Sequence, residues 1–315
     1  MFQFVLQRLM ALVPVWLGVS LLAFGLGHLA PGDPAQLVAA QRAGGTPSDD
    51  QIAQARSELG LDRPLVTQYA RWLGQVVRGN FGQSYRSGAA VFDELTSRLP
   101  ATLELALAGF AVSLFIALPL GVIAATQRDK LLDHLTRLLA LAGSSLPGFW
   151  LAFLLIILFA VQWHWLPVMG RNDWRNLVLP ALALGFGASA SLLRLTRSSM
   201  LDVLSEDYIR TARAKGLSAS NVTLRHALRN ALLPVITAAG LRFGFLLGGA
   251  AIIEVIFAWP GVGRLLVESI STRDYPLIQG YVLLMGTIFL LINLLVDVGY
   301  VWLDPRVQLA GAKKA

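Results

Sequence analysis

The chain has 315 residues, of which 55% are hydrophobic and only 14% are charged. Soluble domains carry about 25% charged residues, so this composition indicates an integral membrane protein. The sequence contains no cysteine, which excludes disulfides and thiolate metal sites. The formal net charge of +7 could suggest a nucleic-acid partner. Excess Lys and Arg in a membrane protein is typical of cytoplasmic loops, however, and we expect no nucleic acid to bind.

Six apolar runs each reach the roughly 20 residues that a membrane-spanning helix needs. In chain order they are Leu9–Ala30, Ala101–Thr126, Leu138–Val161, Leu177–Leu195, Ala231–Phe257 and Leu277–Val301. The first run is too long for the apolar part of a typical signal peptide, and no small-residue cleavage pattern follows it. We therefore interpret it as a retained span. The pattern predicts an all-α integral membrane protein with about six transmembrane helices.

The segment between the first two runs mixes Arg with Asp and Glu, and we expect it to lie outside the cytoplasm. Apolar side chains recur there at steps of three and four residues, at Leu65, Tyr69, Trp72, Leu73 and Val76. This spacing predicts an amphipathic helix, whose apolar face lies at the membrane interface or packs on the spans. The predicted organisation is an N-terminal helix over 1–30, this extracytoplasmic segment over 31–99, a core of five helices over 100–307 and a tail over 308–315.

The orientation follows from the distribution of Lys and Arg over the short loops. One side carries Arg8, the turn with Arg128 and Lys130, the cations from Arg194 to Arg229 in and beside the loop of residues 199–230, and the C-terminal cations. The short loops of the other side also contain arginines, but Asp and Glu in the same loops lower their net positive charge. We expect the more basic side to be the cytoplasm, which places both termini there.

Prolines and small residues mark special points within the spans. Pro119 and Pro147 are expected to loosen or kink their helices. Small residues cluster at Gly185–Ser191 and again at Gly244–Ala251. Small side chains either allow close approach of helices or leave space for a cavity. The sequence leaves both interpretations open.

The sequence contains no recognisable catalytic constellation. The four histidines are scattered over different spans and loops, and paired carboxylates are absent from the spans. The phosphate-binding pattern GxxxxGK[ST] is also missing, so we expect no ATP hydrolysis by this chain. We therefore predict no enzyme activity and no catalytic, cofactor-binding or metal-binding residue.

Charged residues inside spans are costly and are functional candidates by default. Arg242 in the fifth run and Asp297 in the sixth reach a similar depth, and one hypothesis is that they pair. The alternative is a purely structural ion pair, or side chains that extend to the membrane surface. Glu254 lies near the outer end of its span and could face interfacial water. An ion-coupled transporter or channel would need such charges, and this alternative class depends on them alone.

The loop after the fourth run is basic and favours helix. Its stretch Asp207-Tyr-Ile-Arg-Thr-Ala-Arg-Ala-Lys215 is rich in good helix formers and begins with an acidic residue, which predicts a short helix. Gly216 suits the left-handed position that ends a helix, and Ser218 or Ser220 could cap a second helix. Two helices joined to two spans would act as a lever. The alternative is a solvated basic loop that only maintains the topology.

This loop resembles the signature loop of ABC importer permeases, written Glu-Ala-Ala, three residues, Gly, nine residues, Ile-x-Leu-Pro. The corresponding stretch here is Arg210-Thr-Ala-Arg-Ala-Lys-Gly216, closed by Leu233-Pro234. Arg210 replaces the leading Glu, and Pro234 comes 18 residues after Gly216 where the general motif has 13. Both departures are typical of the peptide/nickel branch of these permeases. Further stretches are similar to that branch, namely Pro31-Gly-Asp-Pro34, Leu99-Pro-Ala-Thr-Leu103, Glu254 with Trp259-Pro-Gly-Val-Gly-Arg264, Arg273-Asp-Tyr-Pro276 and Asp304-Pro305.

The resemblance implies a bacterial inner-membrane permease with the type I importer arrangement and a cytoplasmic coupling helix. Such a permease pairs with a second, similar permease, with two ATPase subunits and with an extracytoplasmic solute-binding protein. ATP and magnesium are then bound by the ATPase subunits, and no cofactor is bound by this chain. The residues that would contact an ATPase are Asp207, Tyr208, Arg210, Thr211, Ala212, Arg213, Ala214, Lys215, Gly216 and Leu217.

The resemblance leaves the substrate open within the branch. The coupling loop is similar to that of members that carry dipeptides or oligopeptides, which we take as the leading interpretation. Phe149-Trp-Leu-Ala-Phe and Leu166-Pro-Val-Met-Gly are similar to nickel permeases. Scarce histidine and absent cysteine argue against a path for a bare metal ion. Glutathione and chelated nickel therefore stay as alternatives.

Overall fold

The computed structural model describes residues 2–29 and 33–303. This part of the chain is helical, without a β-strand, as the sequence predicts. Its α-helices are α1 (Phe2–Leu29), α2 (Pro34–Ala43), α3 (Asp49–Glu58), α4 (Leu65–Val77), α5 (Val91–Thr126), α6 (Leu131–Ser145), α7 (Gly148–Leu155), α8 (Arg175–Leu204), α9 (Asp207–Ala214), α10 (Ala219–Asn221), α11 (Leu228–Ile256), α12 (Val262–Thr272) and α13 (Tyr275–Leu303). Asp304-Pro305, the whole tail over 308–315 and the start of Pro31-Gly-Asp-Pro34 lie outside the described residues.

Five continuous helical segments in this part are long and apolar enough to cross a membrane. They are Val5–His28, Val91–Thr126, Arg175–Leu204, Ala219–Ile256 and Tyr275–Gly299. A sixth span is formed if α6 and the helix Gly148–Gln162 are taken together. The last seven residues of that helix, Ile156–Gln162, are π-helical. The prediction of about six transmembrane helices is therefore confirmed, with the third span broken.

The break in the third span lies at Pro147. The chain bends there by 106°, because α6 ends at Ser145 and the helix resumes only at Gly148. Leu146 is extended, with φ −80° and ψ 125°. Proline disfavours the helical conformation in the residue before it and lacks an N–H for the helix ladder. The predicted effect is thus confirmed at Pro147, whereas α5 continues without a break through Pro119.

Two helices extend well beyond the apolar runs that predict them. Helix α5 begins ten residues before Ala101, with Asp93 and Glu94 in its first turn. Acidic residues there interact favourably with the helix dipole, and Glu94 pairs with Arg98 at 3.7 Å. Helix α8 likewise continues to Leu204. An apolar run marks only the part of a helix that lies in lipid. A prediction based on such runs therefore omits the polar turns at the helix ends.

Contacts divide the chain into two compact units. One comprises residues 102–260 together with the end of α13 from residue 291 onward. The other comprises residues 2–101 and 261–290. Helices α5 and α13 each contribute to both units.

Close helix packing dominates the first unit. A Cβ added to Gly185 of α8 would collide with the backbone oxygen of Gly109 in α5. A Cβ on Gly143 of α6 would lie 3.2 Å from the Cβ of Ala190. Small residues at these positions let the helix backbones approach each other. The cluster Gly185–Ser191 therefore serves packing rather than a cavity.

A buried ion pair joins α6 to α8 in the same unit. Asp133 is fully buried, and its two carboxylate oxygens accept hydrogen bonds from Nε and Nη2 of Arg197 at 2.7 and 2.8 Å. The backbone N–H of Asp129 donates a further hydrogen bond to this carboxylate at 3.0 Å, and Arg137 lies 3.6 Å away. A buried charge is tolerated only with such complete pairing. The pair fixes the start of α6 against the end of α8.

In the second unit the predicted amphipathic helix is present as α4 and packs on α1. The hydroxyl of Tyr69 lies within 2.8 Å of Oγ of Ser20. The ring of Phe24 contacts those of Tyr69 and Trp72 at centroid distances of 5.4 and 5.6 Å. The apolar face therefore covers a span, which was one of the two sequence alternatives. Leu65, at the start of α4, is exposed.

A second buried carboxylate organises the loop before α5. Asp274 is 1% exposed and accepts hydrogen bonds from Oγ of Ser84 at 2.5 Å and from the backbone N–H groups of Tyr85 and Arg86 at 3.1 and 3.2 Å. Burial, together with the charge of Asp274, raises the pKa of Tyr85 to about 12. The carboxylate thus ties this loop to the start of α13.

Candidate coupling site and transport passage

The predicted short helix of the polar loop is confirmed as α9. It starts at Asp207 after an extended Glu206, and the acidic side chain in its first turn suits the helix dipole. Gly216 follows the helix with a φ of +78°, a conformation that glycine adopts without steric cost. The N–H of Gly216 bonds to the carbonyl of Arg213 at 2.9 Å, and that of Leu217 to the carbonyl of Ala212 at 3.4 Å. These two bonds form a Schellman motif, which ends the helix at a defined residue.

Helix α9 is docked through two side chains on one face. Ile209 is fully buried, and Ala212 one turn later is 8% exposed. They belong to one apolar cluster with residues of α5, α8, α11 and the π-helical stretch before α11, namely Ala125, Met200, Val222, Ala227 and Ala231. Helix α9 is therefore packed against three spans at once, and the alternative of a freely solvated loop does not hold.

The opposite face of α9 is polar and open. Tyr208, Arg210, Arg213 and Lys215 are exposed there. The hydroxyl of Tyr208 accepts a hydrogen bond from Nδ2 of Asn230 at 2.8 Å. Arg210 lies 3.2 Å from Asp207, an exposed pair that contributes little to stability. This face can therefore be offered to another protein without disturbing the fold.

The segment after Gly216 continues directly into the fifth span. Ser218 caps α10, because its Oγ accepts the N–H of Asn221 at 3.4 Å. A π-helical stretch, Val222–Ala227, then leads into α11 without a turn. The predicted second helix of the loop is thus the beginning of the span itself. Only a few residues therefore connect α9 to the beginning of this span.

The three charged residues predicted inside spans differ in their surroundings. Glu254 is fully buried, and one carboxylate oxygen accepts a hydrogen bond from Oγ1 of Thr102 at 2.5 Å, so this side chain does not face interfacial water. Asp297 is half-buried and Arg242 is exposed. Within residues 2–29 and 33–303 no ion pair joins Arg242 to Asp297. Their pairing stays a prediction without support from this structure.

The second cluster of small residues, Gly244–Ala251, behaves differently from the first. A Cβ added to Gly248 or Gly249 would meet no atom within 4 Å. Gly240, one helical turn before this cluster, packs tightly against Val296 of α13. One face of α11 is therefore packed and another borders open space. Among the described residues no group of three or more His, Asp or Glu side chains is placed to hold a metal ion.

Several organising residues were not identified from the sequence. Ala212, which the resemblance placed among the ATPase contacts, is instead buried beside Ile209 on the face that packs on the spans. The apolar spacing of these two residues in a polar helix was a signal for this docking. Asp133 and Arg197 lie 64 positions apart, and Asp274 lies 190 positions from Ser84. No local pattern connects residues at such separations.

The described part of the chain is helical, with five or six apolar spans and a charged helix docked against three of them, an arrangement expected of a membrane-transporter subunit. Residues 117–309 match the family described as "Binding-protein-dependent transport system inner membrane component". Residues 1–106 match its N-terminal counterpart, "Binding-prot-dependent transport system membrane comp, N-term". The chain belongs to this family of binding-protein-dependent inner-membrane transport components.

Curated relatives are similar over nearly the whole chain. The "Glutathione transport system permease protein GsiC" of Escherichia coli (strain K12) is 45% identical over 309 residues, which cover 98% of this chain and 99% of the relative. The protein of the same name from Salmonella paratyphi A (strain ATCC 9150 / SARB42) is 46% identical over the same lengths.

Solved structures share the fold. A structure described as "Inward facing conformations of the MetNI methionine ABC transporter" matches 67% of this chain and 96% of its own, with a TM-score of 0.55 and 19% sequence identity. A second crystal form of that transporter gives a TM-score of 0.57 at 19% identity, over 66% of this chain and 95% of its own. The chain is thus an inner-membrane permease of an ABC importer from the peptide/nickel branch, as the resemblance implied.

Proposed function

We propose that this permease carries glutathione or other short peptides into the cell, driven by ATP hydrolysis in separate subunits. Its partners in this proposal are a second permease, two ATPase subunits and a solute-binding protein that delivers the substrate. The observation that carries the coupling part is the docking of α9. One face is buried in an apolar cluster shared by three spans, and the other presents Tyr208, Arg210, Arg213 and Lys215.

Each face of α9 has a distinct role in this mechanism. The exposed residues between Asp207 and Leu217 contact the ATPase subunit. When ATP draws the two ATPase subunits together, α9 moves with its ATPase. Ile209 and Ala212 transmit that displacement to α5, α8 and α11, because a close-packed cluster moves as a unit. ATP binding thereby selects one of two packings of the spans, and hydrolysis restores the other.

The proposed substrate class rests on the relatives. Glutathione is a short peptide, and the relatives with 45–46% identity over nearly the full length are named as permeases of glutathione transport systems. The sequence interpretation of a dipeptide or oligopeptide carrier belongs to the same chemical class. The two differ in which peptide the binding protein selects.

The proposed orientation places α9, and therefore both termini, in the cytoplasm. The segment of residues 31–99, with α4, then lies outside, where the binding protein docks. The core over 100–307 holds the other spans, and the tail over 308–315 is cytoplasmic. The basic loops support this orientation, since Lys and Arg accumulate on the cytoplasmic side.

A substitution at Gly216 tests the coupling role, and the chain supplies a matched control. Gly44 after α2 has a φ of +66° and the same pair of helix-ending hydrogen bonds, at 3.4 and 3.3 Å. An added Cβ meets no atom within 4 Å at either glycine. Gly216→Val and Gly44→Val therefore impose a similar backbone strain of about 1–2 kcal/mol, but only one does so beside α9.

The measurement is substrate uptake and ATP hydrolysis by the full transporter in proteoliposomes, with glutathione, dipeptides and chelated nickel offered in turn. We expect Gly216→Val to lower the amount of peptide imported per ATP, while Gly44→Val retains the native ratio. A native ratio in Gly216→Val would contradict the coupling role. Import of chelated nickel without any peptide would contradict the substrate class and leave the coupling role standing.

A further inference from the structure

Arg242 occupies the middle of a span. Helix α11 runs from Leu228 to Ile256, and Arg242 is 14 residues from either end. At a rise of 1.5 Å per residue, this is about 21 Å of helix on each side. The hydrocarbon core of a membrane is about 30 Å thick, so the Arg242 backbone lies deep inside it.

The Arg242 side chain is exposed and, within the described residues, has no hydrogen bond or ion pair. It shares its side of α11 with other exposed residues, namely Leu241, Phe245, Gly248, Gly249, Ile252 and Val255. The space beside Gly248 and Gly249 is open. Arg242 therefore belongs to a continuous exposed face, about 14 residues long, in the second half of α11.

The charge on this face indicates what lies beside it. A guanidinium in mid-span is costly in lipid, and such groups almost always face a protein interior or a water-filled cavity. The exposed face of α1 shows the contrasting pattern, since its exposed side chains from Leu9 to Leu26 are all apolar. That composition suits lipid. The α11 face differs from it by the charge of Arg242, which indicates that this face is turned toward protein or water and not toward lipid.

A second unsatisfied polar group lies at the same level. Gly240 of α11 packs on Val296 of α13, which fixes the relative depth of the two helices. From that contact Arg242 is two residues along α11, about 3 Å, and Asn293 is three residues back along the antiparallel α13, about 4.5 Å. Oδ1 of Asn293 is buried and accepts no hydrogen bond in the described part of the chain. Two polar groups without partners thus lie at one depth of the membrane.

We propose that the exposed face of α11 lines the transport passage and that Arg242 binds a carboxylate of the passing substrate. A planar guanidinium accepts a carboxylate through two parallel hydrogen bonds, and every peptide with a free C-terminus carries this group. The peptide class of the substrate rests on the function proposed above. The lining of the passage rests on the geometry of α11 alone.

Single cysteines test the lining of the passage, and the natural chain contains none that would interfere. Gly249→Cys lies on the α11 face, seven residues before the helix ends at Ile256, and Leu21→Cys is a matched position in α1, half exposed and seven residues before that span ends at His28. In the assembled transporter, a charged, membrane-impermeant thiol reagent is expected to label Gly249→Cys at least tenfold faster than Leu21→Cys. S-Methylglutathione, delivered by the binding protein, should slow the labelling of Gly249→Cys only. Equally slow labelling at both positions would overturn the assignment of the passage.

Charge substitutions test the carboxylate site. Arg242→Gln is expected to lower glutathione uptake roughly tenfold, while the ATPase activity stimulated by the binding protein is retained. Arg242→Lys keeps the charge and should recover most of the uptake. Arg194→Gln removes another exposed arginine of a span, in α8 nearer its end, and should transport as the native protein does.

Native uptake in Arg242→Gln would overturn the carboxylate site. If the native transporter imports no peptide while Gly249→Cys is still labelled, the proposed substrate class fails. The carboxylate site then falls with it, and the passage along α11 stands.

Discussion

In the proposed coupling mechanism, transmission between α9 and the spans depends most directly on Ile209. It is 0% exposed, so Ile209→Ala leaves a cavity that packing around it fills only in part. Comparable truncations of buried aliphatic side chains cost about 2–4 kcal/mol. Helix α9 has only eight residues, too few for a stable helix in isolation, and it depends on this docking. Since 1.4 kcal/mol is a factor of about ten, the docked fraction of α9 should fall by at least an order of magnitude relative to the undocked fraction.

The assay compares peptide uptake with ATP hydrolysis in proteoliposomes that contain the complete transporter. We expect Ile209→Ala to retain most of the hydrolysis, because no exposed side chain of α9 is replaced, and to import much less peptide per ATP. Ile209→Val, which removes one methylene and costs about 0.5–1.5 kcal/mol, should give an intermediate ratio. Leu179→Ala in α8 is the control, since it truncates an equally buried side chain outside the α9 cluster.

The control separates coupling from stability. Leu179→Ala and Ile209→Ala should lower the unfolding temperature by similar amounts, but only Ile209→Ala should change the uptake per ATP. A native ratio in Ile209→Ala, with the protein folded in the membrane, would refute the role of the α9 cluster in transmission. An equal loss in Leu179→Ala would show that the ratio reports general destabilisation.

Two further predictions concern the buried carboxylates. Arg197→Gln leaves the fully buried charge of Asp133 without its main partner, so we expect a loss of about 3–5 kcal/mol of stability, seen as a lower unfolding temperature in detergent. Arg128→Gln, at an exposed position, should change it little. Equal shifts in both variants would contradict the importance of this pair. Asp274→Asn removes the charge that strengthens the hydrogen bonds from residues 84–86. We therefore expect trypsin to cleave the purified variant after Arg86 faster than it cleaves the native protein. An unchanged cleavage rate would mean that the loop is held by other contacts.

Local features of the coupling loop could be predicted from the sequence. The bounds of α9, the left-handed Gly216 and the cap at Ser218 each depend on a few neighbouring residues, and propensity and capping rules act at that range. The broken third span was predictable in part, because Pro147 restricts Leu146 wherever it occurs. The angle of the bend depends on packing and could not be derived.

The orientation of side chains around a helix axis was harder to predict than their depth. Residue counts placed Arg242 and Asp297 at similar depths, and this led to the hypothesis that they pair. Which way each side chain points depends on which face of α11 meets α13, and that is decided by the contact of Gly240 with Val296. Both small-residue clusters of the sequence looked alike, yet Gly185 packs and Gly249 does not. Only the neighbouring helix distinguishes them.

The two faces of α9 make recognition and transmission separable. In the proposed mechanism, the choice of the ATPase partner depends on outward side chains such as Arg210 and Lys215, whereas the connection to the spans depends on Ile209 and Ala212. Mutations can therefore accumulate on the outward face, and change which ATPase is accepted, without altering how the spans respond. Grafting only the outward residues of a related permease onto α9 should redirect this chain to a different ATPase. The outward residues of this eight-residue helix would then determine which ATPase the permease uses, independently of the substrate that the spans carry.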